Sequence, residues 1–180
     1  MNLEKSSDQN NQLIMGIDPG SIYCGCAFLY LCKGHPVRIK TQLIEASPKS
    51  KLNERVMIIG EQVRNLILEI KPSIIAIESL IYVKNPKALI ALAQARGAIL
   101  SAIGSKYVSK IYEYSPNLAK SIVTGHGHAD KLMVQKGINL TLGTDISFTS
   151  YDESDALLLA LAHWLSSTKL KHFYHEKEHS

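Results

Sequence analysis

LIMGIDPGSIYCGCAFLY, running from Leu13 to Tyr30, joins two apolar runs through an acid and a Pro-Gly break. Leu13 to Ile17 and Gly25 to Leu31 read as strands, and Pro19-Gly20 turns the chain back between them. Asp18 therefore stands where a buried strand surfaces. A lone carboxylate there is costly unless a metal, a cation or a row of hydrogen-bond donors holds its charge.

Working outward, Val37 to Ile44 alternates apolar and polar residues, as expected for a third strand with one wet face near a sheet edge. Leu52, Val56, Ile59, Val63, Leu66, Ile67 and Ile70 recur at the helical period, and Pro72 ends that helix. SIIAIE is a short continuous apolar run, the pattern of a buried parallel strand, and it too ends in an acid, Glu78. A helix from about Pro86 to Ser105, a strand KIYEYS, a short helix after Pro116, a helix from about Ala129 to Leu142 and a last helix, YDESDALLLALAHWL, complete the order. With no internal repeat, one α/β domain over residues 12–168 is expected, built on a five-stranded mixed sheet flanked by helices. Residues 1–11 read as a disordered extension and residues 169–180 as a solvated tail.

At 180 residues the chain suits one core. No run approaches the ~18 consecutive apolar residues of a membrane span, and the polar opening MNLEKSSDQNNQ lacks the apolar centre of a signal peptide. A cytoplasmic protein without membrane association is expected. The net charge of +4 tilts it toward polyanionic partners. Cys24, Cys26 and Cys32 do not form the even pattern of a disulfide framework. Cys24 and Cys26 share one strand face, so a Cys-x-Cys metal set with His35 is one reading; small buried hydrophobes is the other.

Four acids stand out by position. Asp18 and Glu78 end strands, and would lie together at the carboxyl edge of the sheet if those strands are adjacent and parallel. Asp152 and Asp155, three apart at the start of the last helix, share one helical face. Glu153, between them, reads as an exposed surface charge. Turn residue and helix-dipole acid are the plainer alternatives for Asp18 and Asp152. Four carboxylates in one small volume require cations, and hard divalent ions such as Mg²⁺ or Mn²⁺ suit oxygen ligands. Two ions roughly 3.5 to 4 Å apart are the usual means of hydrolysing a phosphodiester. Asp18 would bridge them, Glu78 and Asp155 would each hold one, and Asp152 would support an ion or orient the attacking water.

GIDPGS (Gly16–Ser21), AIE (Ala76–Glu78), KNPKALIALAQARGAIL (Lys84–Leu100) and DESDALLLALAHW (Asp152–Trp164) resemble, in order, the blocks of the RuvC-type Holliday-junction resolvases. The resemblance implies a ribonuclease H-like fold and a crossover junction endodeoxyribonuclease acting in recombination and repair. It implies a homodimer that cuts symmetrically related strands of four-way junction DNA, with two Mg²⁺ per subunit that Mn²⁺ can replace. RuvA and RuvB, the branch-migration proteins, are the further partners it implies. Asp18, Glu78, Asp152 and Asp155 match its catalytic metal-binding tetrad, and Lys120 and Lys131 match two lysines that hold DNA phosphates. Both lysines also read simply as solvated helix charges. Many family members carry a base-stacking aromatic three residues after the glutamate; that position is Ile81 here, and the aromatic is Tyr82. The helix from Pro86 to Ser105, with its apolar stripe and small alanines, is the expected dimer face, with ordinary core packing as the alternative. GIDPG also resembles the phosphate loop of actin-like ATPases, but those require a second comparable domain. A non-catalytic junction-binding protein and a nuclease for other branched DNA are the remaining rivals.

Overall fold

The structure, a computed structural model, describes residues 11–80 and 85–178, with side chains described as far as 168. The chain runs β1 (Asn11–Asp18), β2 (Tyr23–Cys32), β3 (His35–Glu45), α1 (Leu52–Ile70), β4 (Ile74–Glu78), α2 (Pro86–Ile103), a 3₁₀ turn over Ser105–Lys110, β5 (Ile111–Tyr114), α3 (Pro116–Thr124), α4 (Lys131–Leu142) and α5 (Tyr151–Glu178). One sheet has the order β3-β2-β1-β4-β5. β1, β2 and β3 form an antiparallel meander, whereas β4 and β5 lie parallel to β1. The alternating third strand takes the edge, and the uniformly apolar β4 lies inside, as their residue patterns predict.

Alternation along the strands sorts the residues between two faces. Met15, Ile17, Cys24, Cys26, Phe28, Ile75 and Ile77 pack with α1 and α2 through Ile59, Val63, Ile67, Ile99 and Ile103. Ile14, Ala27, Leu29 and Ala76 pack on the other face against α5, whose residues Ala156 to Ala162 are all buried. A helix apolar all round is a core helix, and α5 is enclosed by the sheet on one side and by α3 and α4 on the other.

Three expectations change. β1 begins at Asn11, two residues before the apolar run, because β2 supplies ladder partners, Cys32 and Leu31, to the polar Asn11 and Gln12. The backbone of α5 continues to Glu178, through the segment expected as a tail; KLKHFYHEKE contains neither Gly nor Pro, and polarity alone does not end a helix. The cysteine and histidine metal set does not assemble. Cys24 and Cys26 are buried in the apolar layer under α1, while His35 pairs with Cys32 at the far end of the same hairpin.

Candidate active site

By the two-residue period of a strand, Asp18 falls on the same face as Ile14 and Gly16, and Glu78 on the same face as Ile74 and Ala76. That is the α5 face. Ile17 pairs with Ile77 in the parallel β1–β4 ladder, so the two acids emerge side by side on neighbouring strands, which lie about 4.8 Å apart. The turn after Asp18 is pinned by Arg55, whose guanidinium donates to the Ser21 carbonyl (3.1 Å) and the Ser50 carbonyl (3.0 Å).

Two glycines bring the helical acids to this edge. A Cβ at Gly16 would strike the Ala156 carbonyl, and one at Gly25 would strike the Asp152 carbonyl. Without side chains at these positions, the first turns of α5 lie directly on β1 and β2. Asp152 and Asp155 thereby reach the neighbourhood of Asp18 and Glu78.

The electrostatics show that the four acids share one site. Burial pushes Asp18 well above the usual carboxylate range, and the charges of Glu78, Asp155 and Asp152 push it further. Burial, then Asp155, raises Glu78 to about 7, against an opposing pull from Lys120. Asp155 is raised by burial and by Asp152, while Lys131 and Lys120 act in the opposite sense. Lys120 on α3 and Lys131 on α4 therefore face the same cluster. The Lys131 ammonium also lies 4.1 Å from the centre of the Tyr151 ring, next to Asp152.

Among the described residues the one close ion pair joins Arg96 to Glu113, and none of the four acids has a directly paired cation among them. As placed, no three His, Cys, Asp or Glu side chains among the described residues converge into a ready cage for an ion. The donor set fits a divalent cation by its chemistry: four carboxylates supply hard oxygen donors, three of them with proton affinity raised by burial and by neighbouring acids.

Glu153 differs from its expected place on the surface. It is 6% exposed, and its carboxylate accepts hydrogen bonds from the Thr149 amide and hydroxyl and from the Ser150 amide. The Glu153 amide donates back to the Ser150 hydroxyl at 3.2 Å. This reciprocal capping box fixes the start of α5, and Ser-x-x-Glu ahead of an apolar run is its signature in sequence. His163 is buried and hydrogen-bonds the Tyr114 hydroxyl at 3.0 Å. Arg96 was visible only as part of QARG; it donates to the main-chain carbonyl of Glu78. Ile81 and Tyr82 lie outside the described residues. No helix among the described residues is long and apolar enough to cross a membrane.

Comparison with known proteins agrees with this fold. The family model described as crossover junction endodeoxyribonuclease RuvC matches residues 14–163. The crossover junction endodeoxyribonuclease RuvC of Brachyspira hyodysenteriae is 37% identical over 151 residues, covering 84% of this chain and 92% of the relative. That of Petrotoga mobilis is 38% identical over 152 residues, covering 84% and 92%. The solved structure of Thermus thermophilus RuvC in complex with Holliday junction substrate superposes with a TM-score of 0.75 at 25% identity, covering 87% of this chain and 94% of that one.

Proposed function

The chain belongs to the RuvC family of crossover junction endodeoxyribonucleases, and we propose that it resolves four-way DNA junctions by metal-dependent phosphodiester hydrolysis at Asp18, Glu78, Asp152 and Asp155. The observation that carries this reading is the placement of those acids along one edge of a ribonuclease H-like sheet, where Glu78, Asp155 and Asp152 all raise the proton affinity of Asp18 and, among the described residues, no cation pairs with them directly. Metal dependence is general in such nucleases. Mg²⁺ is the ion assigned here, two per subunit, with Mn²⁺ as a substitute.

Each residue's part follows from its place. Bound divalent cations would supply Lewis-acid stabilisation of the phosphate and an acidified water. Asp18, central among the acids, would contact both ions; Glu78 and Asp155 would each hold one, and Asp152 would support an ion or hold the attacking water. Lys120 and Lys131, facing the acids, would bind the backbone phosphates beside the scissile bond. Tyr82 is assigned to stacking on a junction base.

One chain carries one acid cluster, and paired incision of a junction needs two. We therefore assign a homodimer, with α2 as its interface: this helix bears the exposed Ile90 and a run of small residues on the face of the sheet opposite the acids. RuvA and RuvB are assigned as partners delivering the junction, in the cytoplasm.

The test compares synthetic four-way, three-way and linear duplex DNA as substrates in Mg²⁺, with Asp18→Asn as control. The four-way junction should be cut by paired symmetric nicks, and D18N should abolish cleavage while binding the junction nearly as well as the wild type. Equal cleavage of linear DNA would favour a nuclease of other specificity. Binding without any metal-dependent cleavage by the wild type would identify a junction-binding protein instead.

A further inference from the structure

The strand that carries Glu78 ends with it. Its main-chain carbonyl lies in a partly buried place at the end of the strand, where a carbonyl requires a donor. Arg96, on α2, supplies it: the guanidinium Nε donates to the Glu78 carbonyl at 3.2 Å. The amide of Ser79 donates in turn to the Tyr114 carbonyl at 2.9 Å. The peptide leaving Glu78 is thus gripped at its oxygen by a helix and at its nitrogen by a strand. The orientation of that peptide limits where the Glu78 side chain can point.

Arg96 is itself held. Its side chain is 14% exposed, and its Nη2 lies 2.7 Å from Oε1 of Glu113. Glu113 precedes Tyr114 and pairs with Ile77 in the parallel ladder, so it projects toward the α2 side while Tyr114 packs on the α5 side. The contact with Glu113 is an ion pair by distance but lacks hydrogen-bond geometry at Nη2, so charge holds that end of the fork while Nε holds the carbonyl; a lysine presents a point charge and satisfies one of the two well.

We infer that Arg96, braced by Glu113, is a positioning residue that sets the Glu78 carboxylate in the acid cluster. This rests on Glu78 being one of the metal ligands, as proposed above. Arg96 acts through the backbone of Glu78, to whose carbonyl it donates.

The test measures Mn²⁺ binding to the DNA-free protein by electron paramagnetic resonance, together with junction binding without divalent metal and single-turnover cleavage, in R96M, R96K, E113Q and E78Q. R96M should weaken Mn²⁺ binding and slow cleavage by about 10-fold or more, with junction affinity within about twofold of the wild type. R96K should recover part of both losses, and E113Q should show a smaller loss in the same direction. If R96M does not fold, R96K and E113Q decide, since Glu113 is half exposed. Wild-type Mn²⁺ binding and cleavage rates in R96M, or in the folded R96K and E113Q where R96M fails, would overturn the inference. Weakened Mn²⁺ binding in E78Q with none in the Arg96 and Glu113 variants would overturn the inference alone. Unchanged Mn²⁺ binding in E78Q would remove the metal-ligand reading of Glu78 and the inference with it.

Discussion

Asp152 and Glu153 are neighbours in the chain with opposite tasks: one faces the acid cluster, the other closes the capping box at the start of α5. Glu153→Ala should remove the cap and leave the Thr149 and Ser150 amides without their acceptor, costing about 1 to 2 kcal/mol of stability in denaturant unfolding. Cleavage should fall as well, because the same turn carries Asp152 and Asp155. Unchanged stability would show that the cap is idle. The four acids were legible one by one, since strand-end and helix-start positions are read directly from apolar patterning. Glu153 reads as a surface charge by its polar type, whereas its spacing from Ser150 is the signal of the capping box that buries it. The part played by Arg96 is not legible in sequence, because its partner is a backbone carbonyl, which leaves no mark on side-chain patterns.

At the scale of elements, the site exists because α5 lies closely against β1 and β2. Gly16 and Gly25 permit this, and the Ala156 and Asp152 carbonyls fill the space their side chains would need. Gly16→Ala should force the helix outward, at about 1 to 3 kcal/mol of stability. A displacement of the acids by about 1 Å should cost cleavage about 100-fold. Thermal unfolding and single-turnover rates measure the two effects; loss of neither would show that the packing is not tight. That β4 is an interior strand follows from patterning, because a continuous apolar run must be covered on both faces; its pairing with β1 does not. The two-glycine contact does not, because a glycine in a strand signals close approach without saying what approaches. Nor does the length of α5, whose polar final turns are helical although their composition resembles a tail.

At the scale of the whole molecule, the sheet sets an apolar layer under α1 and α2 on one face and gathers raised carboxylates and two lysines on the other. A carboxylate raised in the folded state binds a proton that the unfolded chain has released. Stability therefore falls as pH rises from the ordinary carboxylate value toward the folded one, for Glu78 from 4.5 to about 7, with Asp18 and Asp155 acting in the same direction. Divalent cations, which bind the ionised cluster, should reverse that loss. The most direct measurement is thermal unfolding of the wild type and D18N at pH 5 and pH 8, each with and without Mg²⁺. If the four acids form one cation site, Mg²⁺ raises the wild-type midpoint strongly at pH 8 and little at pH 5. D18N should then lose much of both the pH dependence and the Mg²⁺ effect. Equal stabilisation of the two proteins by Mg²⁺ at pH 8 would contradict a metal centre built around Asp18.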